Sequence, residues 1–362
     1  MQFMFKNFKS VDKCTFGRGT FNQLDSILAE KRGENDKFMV FVVDNYFKGK
    51  ELANKVPAHA EDMVFFVDVD PHEPTTDQID ELRDTILAQK GIPAGIIGIG
   101  GGSILDIAKA LALMVKNEGS SQLYQGLNLV KKEGVYHVGV PTISGTGAEV
   151  SMTAVLTGPV KKLGLKCDWT VFNQIVLDPE LIASVPRNQW FYTGMDTYIH
   201  CIESMTGYLK NTFSEAYGYK SLDLCREVYL HDSCGQTAIN DEKLMVASYF
   251  GGLSLTYSEV GVCHALSYGM SYVFGTRHCF ANCIIFDHLE DYYPEGVREF
   301  KEMVRKNDIF IPQNVSKDWT DAEVDKMADV ALALHHMWNH ALGTDWKNKI
   351  TKEQVKDLYW RM

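Results

Sequence analysis

The sequence predicts an α/β N-terminal domain followed by an all-α C-terminal domain, on three observations. Up to about residue 185, short apolar runs of strand type alternate with segments of helical periodicity. Two of those runs end in loops built of glycine and small hydroxyl residues. From Pro186 onward strand-like runs largely disappear and long helical spacing takes over. We therefore expect domains over residues 1–185 and 186–362. A chain of 362 residues is long enough to give each its own core.

In the first half, Lys37 to Val43 is a buried-strand run ending at Asp44, and Met63 to Val69 is a second. Thr76 to Gln89 places Ile79, Leu82, Ile86 and Leu87 on one helical face. Ala94 to Ile99 is a third strand, running into Gly100-Gly-Gly-Ser103, and Ile104 to Val115 follows as an apolar helix. Tyr136 to Val140 is a fourth strand, running into Pro141-Thr-Ile-Ser-Gly-Thr-Gly147. Strands alternating with helices imply a parallel sheet covered on both faces, with ligands bound beyond the C-terminal strand ends. In the second half, helices are expected over Trp190–Leu209, Phe213–Leu230, Asp241–Tyr257, His264–Val273, Val297–Lys306 and Thr320–Leu342, with an exposed loop around His231 to Ile239.

Composition narrows the function. The chain is 45% hydrophobic and 23% charged, ordinary for a globular protein, and its net charge is −11 with no local Lys/Arg cluster. Nucleic acid and anionic membrane are therefore not expected as partners. The N-terminal Met1 to Lys13 lacks an apolar signal core, no apolar run is long enough to span a bilayer, and the eight cysteines form no framework. Reduced thiols in a cytoplasm are the expectation.

The glycine loop, with Gly101, Gly102 and Ser103, suits a pyrophosphate: glycines let the backbone approach closely, and a helix N-terminus supplies N–H donors. Its plain alternative is a glycine-rich turn. Asp44 can accept hydrogen bonds from an adenosine ribose, or simply cap its strand. The acid precedes the glycine loop by more than fifty residues, the reverse of a standard Rossmann unit. The hydroxyl loop, Thr142, Ser144 and Thr146, suits phosphate or nicotinamide contacts, and Lys162 can add charge unless it is a solvated lysine.

Asp196 and His200 stand four apart, on one face of a helix. His264 and His278 lie among small apolar residues. We read these four as ligands of one catalytic divalent metal; each has a plain alternative, a packing pair for the first two and satisfied core histidines for the others. On one straight helix His264 and His278 would be about 21 Å apart, so the chain must turn between them, with Gly275 the expected break. Three imidazoles and a carboxylate suit Fe²⁺ or Zn²⁺ and leave a position open for substrate. His335, His336 and His340 are closer in sequence but lack a carboxylate on their face, and are read as structural or solvent-facing.

These segments together resemble the iron-containing (group III) alcohol dehydrogenases, whose fold is shared with dehydroquinate synthase. The resemblance rests on Gly100-Gly-Gly-Ser-Ile-Leu-Asp106-Ile-Ala-Lys109, Pro141-Thr-Ile-Ser-Gly-Thr-Gly-Ala-Glu149, Asp178-Pro-Glu180, Gly194-Met-Asp-Thr-Tyr-Ile-His200 and the two histidine segments. It implies a dinucleotide-binding α/β domain, a metal-binding helical domain, NAD and a divalent metal as cofactors, and the four ligands above. It also implies cofactor contacts at Asp106, Thr142, Thr146 and Lys162, to which we add Ser151 and Thr153. Relatives suggest a homodimer. Within the family the chain is similar to a subgroup that oxidises the C8 hydroxyl of the sugar acid 3-deoxy-α-D-manno-octulosonate (Kdo). That similarity is carried by Tyr124-Gln-Gly-Leu-Asn-Leu-Val-Lys-Lys132, Gly158-Pro-Val-Lys-Lys-Leu-Gly-Leu165, Gln189-Trp-Phe-Tyr-Thr193 and His264-Ala-Leu-Ser-Tyr-Gly269. Many members have histidine where this chain has Tyr268, and glycine where it has Cys279. Tyr268 is the candidate proton carrier and Arg277 the candidate cation for a substrate carboxylate.

Overall fold

Val40 to Val43 and Ile96, Ile97 and Ile99 are wholly buried, as strands covered on both faces must be. They belong to β2 (Met39–Asp44) and β4 (Gly95–Gly100) of a six-stranded sheet. Its other members are β1 (Lys13–Phe16), β3 (Met63–Val67), β6 (Tyr136–Pro141) and β9 (Gln174–Leu177), in the order β1-β9-β6-β4-β2-β3. Every pairing is parallel. The computed structural model describes residues 8–33, 37–69, 73–231 and 233–362; the first seven residues of the N-terminal segment and residue 232 of the expected 231–239 loop lie outside them.

Helices α1 (Leu24–Arg32), α2 (Glu51–Asn54), α3 (Thr76–Gln89) and α4 (Gly102–Met114) alternate with these strands. Helix α4 has no exposed face: every residue from Ile104 to Met114 except the half-buried Asp106 is buried. A second, three-stranded sheet, β5 (Gly126–Leu127), β7 (Thr153–Thr157) and β8 (Lys162–Lys166), was not expected from the sequence. Its strands are short, and β8 begins and ends in lysine with Gly164 between, a poor strand signature. The family-like segments 124–132 and 158–165 fall in or beside it.

The second unit is helical: α5 (Arg187–Thr206), α6 (Thr212–Tyr229), α7 (Ala238–Tyr257), α8 (Val262–Phe274), α9 (His278–Phe286), α10 (Pro294–Lys306), α11 (Asp321–Leu332), α12 (His335–Leu342) and α13 (Lys352–Trp360). The single helix expected over Thr320–Leu342 is two. Leu334 leaves helical geometry (φ −85, ψ 59), and the Trp338 indole N–H donates to the Ala331 carbonyl across the break. Helices α9 and α13 were not anticipated.

Within the first half, the structure groups the described parts of residues 1–70 with 74–142 and 148–178; the helical unit takes 179–362, residue 73 and residues 143–147. That unit therefore begins at Pro179 rather than at 186. It also holds five residues of the hydroxyl loop. Gly145 donates its N–H to Ser248 and accepts from the Thr197 hydroxyl. A Cβ at Gly145, whose φ is +150, would meet the Thr193 carbonyl oxygen at 1.6 Å, so only glycine fits.

Candidate metal centre and cofactor loops

Helix α5 supplies three acidic or basic side chains on one stripe: Asp196, His200 and Glu203, at i, i+4 and i+7. All three are buried. Helix α8 brings His264 in its first turn, and α9 begins at His278. The break between them falls at Gly275, in the left-handed conformation (φ 67, ψ 15) that closes α8.

The three imidazole Nε2 atoms converge on one carboxylate oxygen. Asp196 Oδ1 lies 3.7 Å from His200 Nε2, 3.4 Å from His264 Nε2 and 3.7 Å from His278 Nε2. One ligand atom from each of the four residues lies within 4.8 Å of all the others, the one such group among the described residues. The rings of His200 and His264 stack at 4.5 Å. Such a set in a buried place fits a divalent ion: the carboxylate supplies charge and the imidazoles neutral nitrogen. Burial would raise the Asp196 carboxyl, but the imidazoles of His200, His278 and His264 hold it well below the usual range. Burial lowers His200 to about 4.

Glu203 is a site residue that the sequence reading missed. Its Oε2 takes the His264 Nδ1–H at 2.5 Å, and its Oε1 accepts the Cys263 N–H at 2.6 Å and the Tyr293 hydroxyl at 3.0 Å. It thus caps the N-terminus of α8 and fixes the tautomer that turns His264 Nε2 toward Asp196. Burial would lower the His264 imidazole, but Glu203, with Asp196, raises it to about 9. The available signal was the Asp-x3-His-x2-Glu spacing on one helix face. Asn282, four residues beyond His278, was missed too; its amide donates to Asp196 Oδ1 at 2.6 Å. Cys279 donates to Asp196 Oδ2 at 3.4 Å, and burial with the nearby Asp196 pushes its thiol well up.

The rival histidine cluster divides. His340 is fully buried and structural, its Nδ1 accepting from Leu209 N–H and its Nε2–H donating to the Glu203 carbonyl. His335 and His336 are exposed. Tyr268 is half-buried and edge-on to the His278 ring at 5.7 Å. Arg277 is exposed, immediately before α9.

In the first unit, Asp44, the Gly101–Ser103 turn and Thr142 all lie at C-terminal ends of adjacent strands, β2, β4 and β6. Thr142 N–H bonds the Gly100 carbonyl, joining the two loops at their bases. Asp44 caps the turn after its strand by accepting Tyr46 N–H. Asp106 accepts the Val155 N–H at 3.0 Å, and the buried Lys109 ammonium donates to Ser151 and to the Thr153 carbonyl. Asp106, Ser151 and Thr153 thus belong to the network that ties α4 to β7. Lys162 is buried rather than solvated, at the far end of the β7–β8 hairpin from Thr153. Ser144 and Thr146 lie in the helical unit; Ser144 Oγ is buried with no hydrogen-bond partner among the described residues.

Two family models cover nearly the whole chain: iron-containing alcohol dehydrogenase over residues 12–179, and the C-terminal domain of the same family over residues 190–359.

The chain belongs to the iron-containing alcohol dehydrogenase family.

It is an oxidoreductase acting on CH–OH groups, of a family that works with NAD and a divalent metal. It is 27% identical over 291 residues to the NAD-dependent methanol dehydrogenase of Bacillus methanolicus, covering 78% of this chain and 74% of that one. It is 31% identical over 201 residues to the sulfoacetaldehyde reductase of Bilophila wadsworthia, covering 54% and 50%. In fold it is similar to an alcohol dehydrogenase from Oenococcus oeni (TM-score 0.84, 18% identity, 98% of each chain). The same holds for a sulfoacetaldehyde reductase from Bifidobacterium kashiwanohense solved with NAD⁺ (TM-score 0.79, 19% identity, 98% of each chain). No helix among the described residues is long and apolar enough to cross a membrane.

Proposed function

We propose that the chain oxidises the primary C8 hydroxyl of Kdo to the 8-aldehyde, using NAD and Fe²⁺ or Zn²⁺, in the supply of 8-amino-3,8-dideoxy-Kdo for lipopolysaccharide. The observation that carries the chemistry is the convergence of His200, His264 and His278 Nε2 on Asp196 Oδ1 within a buried site. The substrate rests on the four family-like segments named above, Gln189–Thr193 and His264–Gly269 among them.

Asp196, His200, His264 and His278 hold the ion. A bound ion there would supply Lewis acidity toward a substrate hydroxyl, and a bound NAD would supply the hydride acceptor. Glu203 keeps His264 in the ligating tautomer. Tyr268, beside His278, carries the proton away, and Arg277 meets the sugar-acid carboxylate. Asp44, Gly101, Gly102, Ser103, Thr142, Ser144, Thr146 and Lys162 are the proposed cofactor contacts, and Asp106, Ser151 and Thr153 support them through the α4–β7 network. The protein acts in the cytoplasm as a homodimer on this small molecule, with no nucleic acid or membrane partner.

A second reading, a general NAD(P)H-dependent alcohol or aldehyde reductase, is favoured by the names of the relatives. A lyase of the dehydroquinate-synthase kind is disfavoured because that relative is expected to use a Glu/His/His metal site, against the Asp/His/His/His group here. Incubation with Kdo and NAD⁺, aerobic and anaerobic, decides. NADH with 8-aldehyde under both conditions supports the proposal. Aldehyde only in air makes dioxygen the acceptor. Turnover of simple alcohols but not Kdo moves the assignment to the second reading.

A further inference from the structure

Asp196 is held from both sides. Its Oδ1, the oxygen facing the three imidazoles, accepts from Asn282 Nδ2 at 2.6 Å, and that nitrogen also lies 3.2 Å from His264 Nε2 and 3.3 Å from His278 Nε2. Its Oδ2 accepts from Cys279 Sγ at 3.4 Å. Both donors come from α9, the helix that begins with His278, and both are buried. The Asn282 amide is oriented in turn by Cys263, whose thiol lies 3.4 Å from the Asn282 carbonyl oxygen and 3.7 Å from its Oδ1.

We infer that Cys279 is a positioning residue: its thiol holds Asp196 Oδ2, so that the carboxylate presents Oδ1 alone to the metal ion. The inference rests on the four-ligand reading above. A carboxylate can bind a cation through one oxygen or both, and the second oxygen takes up a coordination position. A thiol hydrogen on Oδ2 opposes that second contact and keeps the position open for substrate. Residues in such an outer layer set ligand orientation and typically change metal affinity or activity by about 10–100-fold when removed.

The test is titration of metal-free protein with Co²⁺, read by equilibrium dialysis and visible absorption, on the wild type, Cys279→Ser, Cys279→Ala and Cys279→Gly. A His264→Ala control tests the metal site itself. The serine variant keeps a donor and should match wild type within about threefold and in spectrum. The alanine and glycine variants should bind about tenfold more weakly, with weaker visible bands as the coordination number rises. Either carries the test if the other fails to fold. Wild-type affinity and spectrum in both would overturn this positioning role. An intense thiolate charge-transfer band in the wild type, lost in Cys279→Ala, would overturn it by making Cys279 a ligand. If His264→Ala and wild type take up Co²⁺ alike, the metal reading has failed instead.

Discussion

Asp196 and Asp106 look alike in sequence, each an aspartate on a helix with a basic residue one turn later. Asp196 Oδ1 lies 3.7 Å from His200 Nε2, and Asp106 Oδ1 lies 3.9 Å from Lys109 Nζ. Their surroundings separate them. Asp196 is fully buried, and the neighbours of its oxygens are side chains, three of them imidazole nitrogens that can turn to an ion. Asp106 Oδ2 accepts the main-chain N–H of Val155, a bond that holds a strand. A histidine pair repeats the contrast. His264 in the helical unit is raised to about 9 because Glu203, with Asp196, outweighs burial. His137 in the sheet unit is lowered to about 4 chiefly by burial. Burial alone does not mark a site; burial among convergent, mutually compensating groups does.

The contrast can be broken at four points. His264→Ala should abolish stoichiometric metal and lower turnover by a factor on the order of 10³ or more; wild-type metal content and activity would remove Asp196's claim to be special. Glu203→Gln should weaken metal binding by about 10–100-fold in competition with a chelator, and unchanged affinity would make Glu203 a helix cap only.

His137 tests the sheet unit. Its folded pKa of about 4 lies below the ordinary histidine value, so the fold favours the neutral ring. The resulting stability is present above pH ~6.5 and lost as pH falls through 4, about 3 kcal/mol in all. His137→Phe should flatten the fall in melting temperature between pH 7 and 5; an unchanged slope would assign the acid sensitivity to other groups. Asp106→Asn should cost about 1 kcal/mol of stability by denaturant titration and reduce NAD⁺ affinity less than tenfold. A large affinity loss at unchanged stability would move Asp106 from scaffold to cofactor contact and blur the comparison.

The metal group was legible because its chemistry is carried by rare residue types, and because reach alone demanded a turn near Gly275. The parallel sheet was legible from buried apolar runs such as Val40–Val43. The β7–β8 hairpin was not, since Lys162 and Gly164 carry little strand preference and earn their places through pairing with Thr157 and Val155. Glu203 and Asn282 escaped notice because a carboxylate or amide at helical spacing is common on any helix. Only the position of His264, supplied by a distant helix, gives Glu203 its role. The hydroxyl loop was found as a motif, but its attachment to Thr197 and Ser248 depends on helices 52 and 103 residues further along the chain, which nothing in the local sequence displays.

That attachment has a practical consequence for dissecting the protein. Residues 143–147 are covalently part of the first half but hydrogen-bonded into the helical unit through Gly145, where only glycine fits. A fragment cut at Pro179 would leave the Thr197 and Ser248 hydroxyls facing an empty slot, and the other fragment would carry a loop stripped of its bonding partners. The halves are therefore not interchangeable modules. Shuffling one between relatives requires carrying the Thr142–Gly147 segment together with the helices that grip it.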